Sequence, residues 1–380
     1  MKYMWMMIFT LLPLLAMGYI GWHVWCLLPL SWPWKLLVVL LMVASFMLMF
    51  AGIFRSTDRM PMALATCVYE VGTSSIFILL YLFMTFLVLD LGRLFRLIPR
   101  SFFYNNWLTT GGVFFFMFII FLYGYLHYQK KYREEIHLTT EKRLERPVKI
   151  VMLSDMHIGY HNRRSELARW IDLINREHPD LVLIAGDIID GSMRPLVEQK
   201  MHEEFQRIYA PVYACLGNHE FYSGEPEAKQ FYQKAGIHLL QDSCEVVGDL
   251  CIIGRDDRTN IHRDSLGVIM KKADLSKYCI LLDHQPYHLE QAERQHVDFQ
   301  FSGHTHHGQV WPISWITESI YECAFGYHER GNTTYYVSSG MGIWGGKFRI
   351  GTRSEFVVVT IYPKEEEIKN NKAYGTDQEL

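Results

Sequence analysis

The sequence predicts an α/β protein whose core holds two packed sheets, preceded by a helical membrane region. Two observations predict this. From about residue 147 onward, short apolar runs ending in an acid or a histidine alternate with stretches of helical spacing; later runs follow one another with little helix between them. That pattern is an α/β core with two sheets. Before about residue 128 the chain is mostly apolar and rich in Met, Phe, Leu and Trp. Half of all residues are hydrophobic, an average of two unlike halves.

The boundaries follow in order. Residues 1–128 read as a transmembrane anchor, 129–146 as a charged linker or short helix, 147–363 as the globular domain, and 364–380 as a polar tail expected to be disordered. Four apolar stretches, roughly 4–28, 35–54, 72–92 and 107–127, approach or exceed the ~20 residues a membrane helix needs, with no charge near their centres. The first is too long for a signal peptide and lacks a small-residue cleavage site. Trp5, Trp25, Trp32, Trp34 and Trp107 fall near span ends, where interfacial aromatics sit. Four crossings put Lys2, Arg55, Arg59, Lys130, Lys131 and Arg133 on the side of the globular half, against Lys35, Arg93, Arg96 and Arg100 opposite. Six basic residues against four favour a multi-pass membrane protein with the globular half in the cytoplasm. His23, Glu70 and Asp90 lie close to span ends, so the region reads as an anchor rather than a transporter.

In the second half, strands are expected at VKIVMLSD, DLVLIAGD, APVYACLGNHE, LCIIGRDD, YCILLDHQP, VDFQFSGHTHHG, TTYYVSSG and SEFVVVTIY. SELARWIDLINREH has helical spacing, with Leu167, Trp170, Ile171 and Ile174 on one face. The seven cysteines show no CxxC; Cys26 and Cys67 lie in or beside apolar spans, while Cys215, Cys251 and Cys279 sit in apolar runs and read as reduced core residues. A net charge of −3 gives no global electrostatic case for nucleic acid.

Acids, histidines and one asparagine collect where these strands end. Asp155 and His157 close the first, Asp187 the second, Asn218 and His219 the third, His284 another, and His304 and His306 the last of the series. Strand ends are where α/β proteins place their sites. Carboxylate, imidazole and amide groups in this number suffice for two divalent cations, and the mixed N/O set suits Mn, Fe or Zn. Gly186, Gly217 and Gly303 beside them allow tight turns.

The ordered series DxH, GD, GNHE, H and GHxH resembles that of the calcineurin-like metallophosphoesterases, over roughly 147–362. HQPYHLEQAERQHVDFQFSGHTHHGQVWP and the GTRSEF segment are similar to the bacterial membrane-associated, YkuE-like branch. More distantly, they are similar to enzymes that cleave the pyrophosphate of UDP-diacylglucosamine. The resemblance implies a sandwich of two sheets flanked by helices. It implies that Asp155, His157 and His306 bind one metal, that Asn218, His284 and His304 bind the other, and that Asp187 bridges. His219 would protonate the leaving oxygen or stabilise the phosphorane. A bridging hydroxide would attack phosphorus in line. His307 departs from the glycine of many relatives and is expected to serve its loop.

Lower in the order, Asn162 and Arg164, with His161 and Arg163, follow the first ligand pair and are candidates to steer phosphate. Arg255 and Arg258 are candidate anion contacts, and Glu220 a candidate to orient a neighbouring ligand. The leading function is hydrolysis of a phosphoester or pyrophosphate of a membrane lipid. An anchored phosphodiesterase for soluble nucleotides or cell-wall phosphates is the alternative. A non-catalytic metal-binding scaffold is third.

Overall fold

The computed structural model describes residues 2–364, with side chains from Leu12 onward except that of Ile53. The tail from residue 365 and the side chain of Trp5 therefore lie outside the described residues. The chain divides into two compact units, Met1–His127 with Gly345–Phe348, and Tyr128–Trp344 with Arg349–Leu380.

The first unit contains α1 (Lys2–Leu27), α2 (Trp32–Ile53), α3 (Met62–Leu94) and α4 (Trp107–Gln129) as its helices. Pro33 in the first turn of α2 sits where its missing N–H is not needed. Among the described residues, three helices are long and apolar enough to cross a membrane: Trp32–Gly52, Met62–Leu94 and Trp107–Gln129. The described apolar part of α1 is Leu12–Leu27, shorter than the expected span 4–28. The third helix begins ten residues before the expected 72, because MALATCVYEV carries too few polar groups to end a helix. α2 and α3 pack closely at Gly72, where a Cβ would meet the backbone nitrogen of Met49 at 2.5 Å. His23 and Asp90, both near helix ends, pair with each other at 3.1 Å, and the Tyr19 hydroxyl donates to Asp90 at 2.8 Å.

The second unit is a four-layer sandwich. Its first sheet has the order β1 (Lys131–Thr140), β12 (Ser354–Pro363), β2 (Val148–Leu153), β3 (Leu181–Ala185), β4 (Val212–Cys215) and β5 (Ile237–Leu239). The second has the order β10 (Gly326–Arg330), β11 (Thr333–Val337), β9 (Phe299–Ser302), β8 (Tyr278–Leu282), β7 (Leu250–Gly254) and β6 (Ser243–Val247). β2, β3, β4 and β5 run parallel, as do β7, β8 and β9. The helices are α5 (Arg164–Arg176), α6 (Arg194–Glu198), α7 (His202–Phe205), α8 (Asn218–Ser223), α9 (Glu225–Ala235), α10 (Leu266–Met270), α11 (Glu290–Arg294) and α12 (Ile313–Ile320).

Alternation along each strand sorts its side chains between two cores. Ile150, Met152, Leu181 and Leu183 pack with Ile252, Ile280, Leu282, Phe299 and Phe301 between the sheets. Val151, Leu153, Val182 and Ile184 turn the other way, onto Leu167, Trp170, Ile171 and Ile174 of α5. Cys251, Ile253, Cys279 and Leu281 meet Leu266 and Ile269 of α10, Ala292 of α11 and Leu289 just before it. Each such side chain, taken fully out of water, contributes ~1.5–3 kcal/mol. The seven cysteines are free thiols, as the sequence suggested for Cys215, Cys251 and Cys279.

One boundary needs correcting. The segment expected to be a charged linker contains β1, paired parallel with β12 from Lys131↔Ser354 to Thr140↔Pro363. It is an edge strand: Ile136 and Leu138 face the core while Glu135 and His137 face solvent.

Candidate metal centre

Parallel strands bring their carboxyl ends to one edge, so β2, β3 and β4 of one sheet and β8 and β9 of the other deliver their loops together. Asp155, His157, Asp187, His304 and His306 all have left-handed backbone, with φ of 51°, 44°, 52°, 69° and 48°. Non-glycine residues rarely adopt this region, and it turns each chain sharply after its strand. Two glycines are needed for space. A Cβ on Gly217 would lie 2.2 Å from Asp187 Oδ1, and one on Gly303 would lie 2.2 Å from Asp155 Oδ2.

Two clusters form. In the first, His157 Nε2 and His306 Nε2 are 3.0 Å apart. Asp155 Oδ1 lies 3.8 Å from the former and 3.5 Å from the latter. In the second, His284 Nδ1 donates to the Ala185 carbonyl at 2.7 Å, which turns its Nε2 lone pair inward. That lone pair meets Asp187 Oδ2 at 3.1 Å and Asn218 Oδ1 at 3.2 Å, and His304 Nδ1 is 2.8 Å from the same amide oxygen. Asp187 Oδ2 is also 3.7 Å from His157 Nε2, so it belongs to both clusters. Asp155, His157 and His306 could hold one metal ion, and Asp187, His284 and His304 another.

The donor set fits divalent cations. In each cluster, lone pairs of buried acceptors converge, and such an arrangement repels itself unless a positive charge sits between. Burial holds His304 down to about 4 and His306 down to about 3, so both are neutral, the ligating form. Burial also works downward on His157, but the neighbouring carboxylates of Asp155, Asp190 and Asp187 carry it up to about 10. Burial likewise opposes the charged form of His284, yet Asp187 raises it well above the usual imidazole range. The carboxylates thus call for positive charge here, as protons or as metal ions.

His219 overlaps both sets: with His157 and Asp187 it forms a further group whose ligand atoms lie within 4.8 Å of one another. Its Nδ1 donates to the Asp190 carbonyl at 2.5 Å, and its backbone N–H donates to Asp187 Oδ1 at 2.9 Å. Its ring lies edge-on to that of His157, centroids 4.5 Å apart, and burial lowers its pKa.

Three supporting residues show how the loops are held. Glu220 is fully buried and accepts the backbone N–H groups of Asp187 (3.0 Å), Ile189 (3.0 Å) and Gly217 (2.7 Å). It therefore holds the loops of Asp187 and Asn218 together, as its place in GNHE suggested. Burial and the charge of Asp187 push it up to about 7, against those donors. Asp190 was not singled out in the sequence. Its carboxylate lies 3.3 Å from His157 Nδ1 and its carbonyl fixes His219, a role legible only from its spacing three residues after Asp187. Arg349 was also missed. Fully buried, it donates to the carbonyls of His306 (2.6 Å), Ser339 (2.5 Å) and Gly342 (3.2 Å).

The expected substrate contacts lie elsewhere. Asn162 is fully buried; its amide donates to the carbonyls of Met156 and His157, at 3.1 and 3.0 Å, and its oxygen accepts from Tyr128 at 2.6 Å. It fastens the loop after β2. Arg164 pairs with Glu204 (2.7 Å) and Glu203 (2.9 Å), because the start of α5 directs it toward α7. Arg255 is buried against Asp283 at 3.1 Å, beside His284. His161 Nε2 donates to the Ile343 carbonyl at 2.7 Å. His307 serves its loop, stacked on Phe325 at 4.5 Å and bonded to Glu318 at 2.9 Å.

Fold and donor set together define a two-sheet metallohydrolase architecture. The family model described as calcineurin-like phosphoesterase matches residues 148–308. An uncharacterized metallophosphoesterase of Aquifex aeolicus is 33% identical over 263 residues, covering 65% of this chain and 99% of the relative. The chain belongs to the calcineurin-like phosphoesterase family. An uncharacterized metallophosphoesterase of Campylobacter jejuni, Cj0846, is 33% identical over 230 residues, 58% of this chain; the chain spans 61% of that relative's length. The uncharacterized metallophosphoesterase YkuE of Bacillus subtilis is 27% identical over 259 residues, covering 63% of this chain and 89% of the relative.

Proposed function

We propose that this chain is a metal-dependent phosphoesterase in which Asp155, His157, Asp187, Asn218, His284, His304 and His306 hold two divalent ions. The observation that carries the reading is Asp187 Oδ2. It lies 3.1 Å from His284 Nε2 and 3.7 Å from His157 Nε2, so one carboxylate oxygen serves both clusters. When bound, such a metal pair supplies Lewis acidity toward a phosphoryl oxygen and lowers the pKa of water toward neutrality. Mixed imidazole, carboxylate and amide donors favour Mn, Fe or Zn.

The chain's own residues supply orientation and a proton. His219 keeps its Nδ1 proton on the Asp190 carbonyl, so Nε2 is the atom that faces reacting groups. Burial lowers its pKa, so delivery of a proton from Nε2 to the leaving oxygen requires the negative charge of a bound phosphoryl group to favour the protonated form. His157 is held in place by Asp190, and Asp187 by Glu220, so each donor is oriented before substrate arrives.

A phosphoester or pyrophosphate of a membrane lipid is the substrate class we favour, because three helices of the same chain could cross a membrane. Tethering raises the encounter rate with lipid headgroups. Counted with α1 as a fourth crossing, six basic flanking residues against four favour the cytoplasmic side of a bacterial inner membrane for the site, whereas three crossings divide the same residues five against five. The test is metal analysis of the full chain in detergent, with hydrolysis of bis(p-nitrophenyl) phosphate compared with UDP-diacylglucosamine. Two ions per chain and turnover of either ester are expected. Folded protein with neither metal nor turnover overturns the proposal, and turnover of the soluble ester alone removes the lipid.

A further inference from the structure

Arg258 stands outside the chemistry described so far. It lies in the loop that leaves β7 and runs to α10. That loop is tied to the loop from β8 that carries His284, since Arg255 Nη1 donates to Asp283 Oδ2 at 3.1 Å and Gln285 Nε2 to Asp257 Oδ2 at 2.8 Å. The neighbouring carboxylates are each taken by other donors. Asp283 is held by Arg255 and Arg263, Asp257 by Gln285 and Thr259, and Asp256 by Gln241 and Asn260.

Among the described residues this leaves Arg258 with no ion pair and no hydrogen bond, although its Nη1 is buried. Its position is set by an aromatic ring instead: the guanidinium carbon lies 4.2 Å from the centroid of Tyr287. The Tyr287 hydroxyl donates to that of Tyr321 at 2.9 Å. Tyr321 in turn packs edge-on to the ring of His304, centroids 6.4 Å apart. A two-tyrosine wall therefore leads from a candidate metal ligand to an unpaired cation.

We propose that Arg258, Tyr287 and Tyr321 form a subsite for a second anionic group of the substrate, carried beyond the scissile phosphoryl. A guanidinium presents paired N–H donors in a plane that matches two oxygens of a phosphoryl or carboxyl group. Stacking on Tyr287 fixes that plane before binding, so little side-chain freedom is lost. Partial burial strips water from the fork, which strengthens its attraction for an anion. The subsite makes the enzyme selective for doubly anionic esters over simple diesters. This inference rests on the phosphoesterase reading of the neighbouring site.

The experiment uses the metal-loaded full chain and two esters, P1,P2-diphenyl diphosphate and bis(p-nitrophenyl) phosphate. In R258Q the ratio of kcat/KM for the first over the second falls about tenfold, the loss of one charge-assisted contact, and it falls through KM. R258K recovers part of the ratio. A ratio within twofold of wild type in R258Q, or a loss carried by kcat, overturns the subsite. A binding arm is independent of turnover: the Kd of the methylene-bridged diphosphonate analogue rises about tenfold in R258Q. If neither ester is hydrolysed but this Kd still shifts, the catalytic reading fails and the subsite stands. Offering the diphosphate both dissolved and as its hexadecyl ester in vesicles distinguishes a free from a lipid-borne anion. An R258Q effect in either arm supports the subsite, and one in neither overturns it.

Discussion

Replacing Glu220 by alanine should remove metal binding and stability together, although Glu220 is not itself a candidate ligand. Three buried N–H groups, of Asp187, Ile189 and Gly217, end on its carboxylate. Hydrogen bonds to a charged acceptor contribute ~1.5–3 kcal/mol each, and a buried donor left without a partner costs ~1–3 kcal/mol. Against this, alanine removes the cost of keeping a carboxylate out of water, which burial and Asp187 already make high enough to push Glu220 up to about 7. The balance is ~3–5 kcal/mol lost, the range for breaking one side of a buried charged network. For a domain of this size each kcal/mol moves Tm by ~2–4 °C, so a fall of about 10 °C is expected. Metal loss follows from geometry. Glu220 joins the loops of Asp187 and Asn218 through three bonds, beside the one from the His219 N–H to Asp187 Oδ1, and losing those three lets the Asp187 carboxylate shift away from the second cluster. Thermal unfolding and metal content of the same preparation measure both effects. A Glu220→Ala protein that melts within 2 °C of wild type and retains both ions would refute the reasoning.

Other changes separate the roles of neighbouring residues. Asp187→Asn should leave fewer than one tightly bound ion per chain and abolish turnover; full metal content in that variant removes the bridging assignment. His219→Ala should keep both ions while kcat drops ~10²–10⁴-fold, the usual span for a proton donor; metal loss there would make His219 a ligand. Glu177→Gln probes how β1 is fastened. Burial acts to raise the Glu177 pKa, but hydrogen bonds from Arg133 and Lys149 outweigh it and lower the value. A depressed carboxyl stabilises the fold above its unfolded pKa of ~4.3 and loses that contribution as pH falls through the folded value. Glu177→Gln should therefore cost ~1 kcal/mol at pH 7 and nothing near pH 2, read by urea unfolding at the two pH values.

What could be read in advance depended on whether a residue's role is written in its own neighbourhood. β2, β3, β4, β7, β8, β9, β11 and β12 were legible because each is an apolar run buried on both faces or nearly so. β1 and β10 were not. Their charges alternate with buried or half-buried positions at a sheet edge, and KYREEIHLTT and GYHER look like solvated segments. The eight residues that the loops bring together could be picked out because they terminate apolar runs. Asn162 and Arg164 misled because nearness in sequence to a ligand was taken for nearness to substrate, whereas the turn into α5 directs Arg164 to Glu203 and Glu204. Arg349 left no trace at all. Three of its partners are the carbonyls of His306, Ser339 and Gly342, which have no residue identity to recognise, and a further one, the Ser354 hydroxyl, is a common group at a strand start.

The anchor and Arg258 bear on substrate choice in different ways, and that difference can be measured. Tethering to a bilayer raises the local concentration of every lipid alike, so it favours vesicle-borne esters whatever their charge. A guanidinium acts only on a substrate with an anion to offer it. Effects at sites that share no partner combine additively in free energy, so their fold-changes multiply. The R258Q loss on a diphosphate diester should therefore have the same size, within about twofold, whether the ester is dissolved or held in vesicles. A loss confined to vesicles would mean that lipid contact itself orders the Arg258 loop, so that location and recognition are one device. A loss of equal size in both settings leaves them separate, and assigns the headgroup charge, rather than the acyl chain, to the subsite beside His304.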